Sequence, residues 1–203
     1  MIRLPRLYAV ADGAFGDPVR LAKALFDGGA MLVQIRHKST GAGMLIREVD
    51  EVLKFAPRNA QVIVNDRPDV ARVSGATGVH LGQEDLPASL ARMVLTEDQV
   101  IGCSTHTLAQ ALDADTAEAD YIAVGPVFAT STKQNAAPPI GLERLREICS
   151  RVRKPVVAIG GITLDSAREV FKCGATSVAV IGDLLKHGNV ADRTGDWVRH
   201  LEF

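Results

Sequence analysis

Aromatic side chains are scarce, at 4% of 203 residues. That scarcity argues against a surface that stacks on the bases of a nucleic acid. Charge of one sign is also missing. Lys and Arg number 23 against 24 Asp and Glu, for a net charge of −1. No basic field is left to bind nucleic acid or an anionic membrane. Cysteine is rare, with three in the chain, an odd number that cannot fully pair within it. A disulfide framework is therefore excluded, and a reducing, cytoplasmic compartment is expected. The cysteines and histidines are scattered without zinc-ligand spacing. No apolar run approaches the ~18 residues of a membrane-spanning helix. The first residues lead straight into an apolar strand with no signal core, so no secretion signal is expected. Eighteen Gly and nine Pro are ordinary counts and exclude collagen-like or low-complexity chains.

What is present is a 47% hydrophobic content, enough to bury a sizeable core. The length predicts a single domain over residues 1–203. Eight short Val/Ile-rich runs recur, at residues 7–11, 31–35, 61–65, 78–82, 99–103, 121–125, 155–160 and 177–182. They do not alternate cleanly with polar residues, as expected of strands buried on both faces of a parallel sheet. Helical patterns lie between them. Asp17 before Pro18 is an N-cap and a helix-starting proline, and Gly28-Gly29 ends that helix. Leu45, Val49, Val52 and Phe55 form an apolar stripe. Residues 66–73 predict a short helix, residues 107–110 a capping box, Thr163 a further cap, and residues 189–201 a last helix. Eight strand–helix units predict a compact α/β (β/α)8 TIM barrel. A doubly wound sheet is the rival, but no Gly-x-Gly-x-x-Gly follows the first strand.

In such a barrel chemistry belongs on the loops that follow the strands. The loops entering strands are short and bland, whereas those leaving them carry the polar groups. Arg36 and Lys38 are cations two apart in a strand and point the same way. Lys133 is a third, on a long segment over residues 127–141. Together they suit an anionic substrate, although a solvated rim would also carry them. Asp66 and Asp85 directly follow adjacent strands, and Mg²⁺ takes one or two carboxylates plus substrate phosphate oxygens. Capping of a helix by Asp66 and of a loop by Asp85 is the alternative. Gly160-Gly161 and Ile181-Gly182 follow strands 7 and 8, where barrels recurrently hold phosphate, and Thr130 and Thr132 could add hydroxyls. Ser104 could bind substrate, His106 fits a surface or supporting role better than a base, and Cys103 reads as a small buried residue. Residues 151–154, rich in Arg and Lys, fall at the opposite face and read as solvated.

The ordered set Gln34-Ile35-Arg36-His37-Lys38, Val64-Asn65-Asp66-Arg67, Gly78 to Asp85, Gly102-Cys103-Ser104-Thr105-His106, Asp120 to Phe128, Thr130-Ser131-Thr132-Lys133 and Ala158-Ile159-Gly160-Gly161-Ile162 resembles the thiamine-phosphate synthase family. The resemblance runs from about Leu7 to Leu185. It implies a transferase that joins hydroxymethylpyrimidine diphosphate to hydroxyethylthiazole phosphate or its carboxylated form. The products are thiamine phosphate and pyrophosphate, and Mg²⁺ is required. By resemblance Gln34, Arg36, Lys38, Asn65, Ser104 and Lys133 bind the pyrimidine diphosphate, with Arg36, Lys38, Ser104 and Lys133 acting in catalysis. Asp66 and Asp85 hold the metal, and Thr130, Thr132, Gly161, Ile181 and Gly182 bind the thiazole phosphate. The chain departs from the family at His37, usually Glu, and at Gly182, usually Ser. The implied mechanism is dissociative: diphosphate leaves a pyrimidine cation, which the thiazole nitrogen captures while the 127–141 segment excludes water. Partners are expected to be small phosphorylated molecules, not nucleic acid or membrane. A second copy is possible but not readable. The alternatives are a thiazole tautomerase of the same superfamily with His106 as base, a non-catalytic phosphate-ligand barrel, and, on fold alone, another phosphosugar enzyme.

Overall fold

The computed structural model describes residues 4–130, 132, 137–186 and 188–202. Eight parallel strands close into one barrel in chain order. They are β1 (Leu7–Asp12), β2 (Leu32–Arg36), β3 (Gln61–Asn65), β4 (Gly78–Leu81), β5 (Val100–Thr105), β6 (Tyr121–Val124), β7 (Val156–Ile159) and β8 (Ser177–Val180). The first strand seals against the last through the pairs Leu7↔Val178 and Tyr8↔Ala179. The helices of the described residues are α1 (Pro18–Asp27), α2 (Ala42–Phe55), α3 (Pro68–Ser74), α4 (Ala88–Val94), α5 (Leu108–Thr116), α6 (Gly141–Arg151), α7 (Leu164–Lys172), α8 (Gly182–Leu185) and α9 (Val190–His200). None is long and apolar enough to cross a membrane.

Two cores explain why the strands read as continuous apolar runs. Side chains on one face, among them Ala9, Ala11, Val33, Ile35 and Val64, pack against the helices. The alternate residues, including Tyr8, Val10, Leu32, Ile63, Tyr121, Val157 and Ala179, fill the barrel. Each fully buried aliphatic side chain contributes ~1.5–3 kcal/mol, so both faces favour closure.

The predicted caps form, with one change. Asp17 accepts from the backbone N–H of Val19 at 2.9 Å, with Pro18 opening α1. Thr163 and Ser166 make a reciprocal capping box at α7. Thr107 accepts from Gln110 N–H at 3.2 Å, but the Gln110 side chain accepts from His106 N–H, one residue upstream of the expected partner. The helix predicted over 66–73 starts at Pro68 instead, because Asp66 sits at φ 63° and cannot begin a right-handed turn. Of the cations at residues 151–154, Arg151 and Arg153 are exposed, as expected, whereas Lys154 is half-buried. The buried Asp115 carboxylate accepts from the backbone N–H of Arg153 and of Lys154, both at 2.9 Å. The Lys154 ammonium donates to the Ala114 carbonyl at the end of α5.

The carboxy-terminal segment has a specific task. Asp183, in the first turn of α8, accepts three hydrogen bonds from the Arg193 guanidinium and one from Trp197 Nε1 at 2.6 Å. Trp197 is fully buried. Helix α9 thereby fixes the short turn that follows β8.

Candidate active site

One cavity of about 480 Å³ opens at the carboxyl ends of the strands. Gln34, Arg36, Lys38, Asn65, Asp66, Asp85, Ser104, Thr130, Thr132, Gly161, Ile181 and Gly182 all line it. Lys133 and Ser131 lie outside the described residues. The strand-to-loop rule therefore gathers the described members of the expected set at one mouth.

The register explains the first cluster. Asp12 and Arg36 end neighbouring strands as paired residues. Their side chains meet at 2.6 Å, with Asp12 buried. Asp12 also accepts from the backbone N–H of Ala14. A buried carboxylate thus orients the Arg36 guanidinium, which is one-fifth exposed toward the cavity. Lys38 reaches Asp66 at 2.9 Å. Asp85 accepts from Gly82 N–H at 2.6 Å, so it does cap its loop. Asp66 caps no helix, since α3 begins at Pro68.

The carboxylate pair tests whether a divalent cation fits. Among the described residues no group of three or more His, Cys, Asp and Glu side chains could hold a metal ion. Two carboxylates suffice for Mg²⁺ when substrate oxygens and water complete the shell. Burial pushes the Asp85 carboxyl above the usual range, and its hydrogen bond with Asp66 adds to this, against the pull of Gly82 N–H and Lys38. Two carboxyl groups in contact, with one ammonium paired to Asp66, carry negative charge that a divalent cation would balance. The donor set fits the ion.

Across the mouth the backbone comes close. Gly160 and Gly161 have φ of 100° and 63°, and a Cβ on Gly161 would lie 2.4 Å from the Ala129 carbonyl oxygen. Only glycine allows this approach. Strand β8 ends at Val180, two residues before the predicted limit, and Gly182 opens α8 beside Thr132 and Lys186. Lys186 also lines the cavity and was not singled out from the sequence. Nor did the sequence anticipate α8.

Four residues in the barrel were given no role from the sequence: Tyr8, Asp12, His80 and Tyr121, the last two lying within motifs that carry the resemblance. Gln34 Nε2 donates to the Tyr8 hydroxyl at 2.8 Å, and the two tyrosine hydroxyls lie 2.9 Å apart. His80 Nδ1 is 3.1 Å from the Tyr121 hydroxyl, and Nε2 is 2.9 Å from Ser104 Oγ. Burial raises both tyrosine pKa values and lowers that of His80 to about 4. The chain is therefore neutral near pH 7. Alternation along the strands was the available signal, since Tyr8, Gln34, His80 and Ser104 fall on inward positions.

The depressed His80 pKa makes a prediction. Unfolded chains take up its proton near pH 6.5, whereas the native state does so near pH 4. Its contribution is complete above pH 6.5 and is lost as pH falls toward 4, by at most ~3 kcal/mol. Urea midpoints measured across that window should fall less steeply for His80→Asn than for the parent chain. Parallel pH profiles would refute the assignment.

The remaining expectations fall out simply. His37 turns away from the cavity, and its Nδ1 meets Glu48 on α2 at 2.9 Å. Its departure from the family pattern lies outside the contact layer. Cys103 is mostly buried, which pushes its thiol up to about 11. His106 lines the cavity, with Nδ1 2.5 Å from the Gly125 carbonyl oxygen.

The closed barrel, with its polar groups collected at the carboxyl mouth, is that of a (β/α)8-barrel enzyme. Comparison with known proteins narrows the class. The thiamine monophosphate synthase family matches residues 7–184. A thiamine-phosphate synthase of Koribacter versatilis is 44% identical over 191 residues, spanning 91% of this chain and 90% of that protein. One from Chlorobium phaeovibrioides is 40% identical, spanning 98% and 95%. The solved thiamine phosphate pyrophosphorylase from Pyrococcus furiosus superposes with a TM-score of 0.89 at 35% identity, covering 97% of this chain and 95% of that one. The chain belongs to the thiamine-phosphate synthase family, whose members are transferases.

Proposed function

We propose that the chain joins hydroxymethylpyrimidine diphosphate to a hydroxyethylthiazole phosphate, giving thiamine phosphate and pyrophosphate. The observation that carries this reading is the division of one cavity. Arg36, Lys38, Asp66 and Asp85 stand on the β2–β4 side, while Thr130, Thr132, Gly161 and Gly182 stand on the β6–β8 side. Two anion-binding ends facing one space suit two phosphorylated substrates.

Gln34, Asn65 and Ser104 hold the pyrimidine, and Arg36 and Lys38 hold its diphosphate, with Lys133 the further cation expected there. Ile181, Gly182, Gly161 and the two threonines hold the thiazole phosphate. Asp66 and Asp85 would hold Mg²⁺, which when bound supplies positive charge opposite the diphosphate oxygens. The electron-rich aminopyrimidine lets the carbon–oxygen bond break before the thiazole nitrogen attacks. The protein then needs no strong base. It needs cations placed where charge develops, and Asp12 holds Arg36 in that position beforehand.

Purified protein given both precursors, with and without Mg²⁺, tests the reading. Thiamine phosphate should form only when both precursors and Mg²⁺ are present. Metal-independent thiazole isomerisation would favour the tautomerase with His106 as base. No turnover of any kind would favour a binding barrel.

The two ends should separate kinetically. Arg36→Ala, like Lys133→Ala, should chiefly raise the KM for the pyrimidine diphosphate. Gly182→Val should raise the KM for the thiazole phosphate, because a Cβ there would already sit 3.1 Å from Thr132 Oγ1. An unchanged thiazole-phosphate KM in Gly182→Val would show that the site after β8 is misplaced.

A further inference from the structure

The chain from Gln34 through Tyr8, Tyr121 and His80 to Ser104 has a direction. Gln34 can donate to Tyr8 only through Nε2. The Tyr8 oxygen then accepts, and its own hydrogen has the Tyr121 oxygen as its acceptor among the described residues. Tyr121 in turn passes its hydrogen to His80 Nδ1. A neutral imidazole that accepts at Nδ1 carries its hydrogen on Nε2, and Nε2 faces Ser104 Oγ. Ser104 therefore accepts from His80, and its own hydrogen is left for the cavity. With the Gln34 amide as it lies, running the chain backwards would bring two hydrogens to the Tyr8 oxygen and strand the hydrogen of Tyr8, a side chain only 1% exposed. The reverse direction needs the amide turned over, and both ends would then present the opposite polarity.

Both ends of the chain line the cavity. One amide N–H given to Tyr8 fixes which way the Gln34 amide lies and leaves its carbonyl oxygen as a hydrogen-bond acceptor. Ser104 offers a donor. We propose that Tyr8, Tyr121 and His80 act as positioning residues that fix these opposite polarities, so that the site selects an aminopyrimidine over an oxopyrimidine. An exocyclic amino group gives its hydrogen to Gln34 Oε1. A ring carbonyl in that place would set oxygen against oxygen, and sites built to pair a polar group reject its mismatch strongly. The Ser104 hydrogen goes to an acceptor on the same ligand, a ring nitrogen or a diphosphate oxygen. The proposal rests on the pyrimidine-diphosphate reading of this end of the cavity.

The test compares kcat/KM for the 4-amino and 4-oxo pyrimidine diphosphates in the parent chain, Tyr8→Phe and Tyr121→Phe. Intrinsic reactivity of the two rings is common to all three proteins and cancels when their ratios are compared. The parent should prefer the amino ring by at least ~100-fold. Tyr8→Phe frees the Gln34 amide to turn over, and Tyr121→Phe frees the His80 tautomer. Each should shrink the preference at least tenfold while leaving the KM for the thiazole phosphate unchanged. Product formed with undiminished preference in both variants overturns the proposal alone. No product from the parent with either ring overturns the synthase reading, and this proposal with it. A second measurement needs no variant at Tyr8 or Tyr121. Nitrogen-15 NMR of histidine-labelled protein, assigned by the signals lost in His80→Gln, should show His80 protonated on Nε2, and the opposite tautomer would overturn the proposed direction.

Discussion

Asp85→Asn and Asp66→Asn should each lower turnover by at least ~10-fold, and by as much as ~10²–10³-fold if the whole charge contact is lost. The substitutions keep the size of the side chain and remove its charge. In Asp85→Asn the amide oxygen can still accept from Gly82 N–H, so the loop should keep its shape. In Asp66→Asn the partner of Lys38 becomes neutral, and that ammonium is released toward the diphosphate. The two variants therefore disturb the cation network differently but share the loss of one carboxylate charge from the pair proposed to hold the metal. Their common signature should be a higher half-saturating Mg²⁺ concentration. Initial rates over a Mg²⁺ titration check this. Parent-like rates and an unshifted titration in both variants would sink the metal assignment.

Gly102→Ala should be among the most damaging substitutions in the barrel. A Cβ at this position would lie 2.0 Å from Tyr121 Cζ and 2.3 Å from its hydroxyl oxygen. The tyrosine ring is fully buried and cannot swing aside without leaving Tyr8 and His80. Overpacking costs ~1–3 kcal/mol, and each buried polar group left unpaired adds a further ~1–3 kcal/mol. The sum is a large part of the ~5–15 kcal/mol that holds a domain together. Chemical denaturation should show a much lower midpoint for Gly102→Ala, or the protein should fail to accumulate folded. In a Tyr121→Leu background, where the ring is gone, the same alanine should cost far less. Equal losses in both backgrounds would show that the clash is not with Tyr121.

The barrel was legible in the sequence because its logic is repetitive. Eight apolar runs with intervening caps are enough to specify parallel strands covered by helices. Three helices were not anticipated: α4, α6 and the single-turn α8. Helix α4 buries only Ala91 and leaves Met93 exposed, so no apolar stripe marks it. Helix α6 buries Leu145 and Ile148 amid charged neighbours. The site was legible where polar residues interrupt apolar runs at strand ends. Asp12 was missed because it meets Arg36 only through the pairing of β1 with β2, between residues 24 apart in the chain. Tyr8 and Tyr121 were missed for another reason. A tyrosine inside a strand reads as core, and only the register shows that these two face each other across the barrel interior.

The sealing of β1 against β8 sets an order of events during synthesis. The amino-terminal strand emerges from the ribosome first, yet one of its two edges stays unpaired until residues 177–180 follow. An open edge is a template for foreign strands, and contacts so distant in sequence form slowly. Tyr8 likewise waits for Tyr121, so the interior chain that reaches Ser104 cannot assemble on a half-made polypeptide. A nascent chain stalled before β8 would carry most of the cavity wall with its seam open.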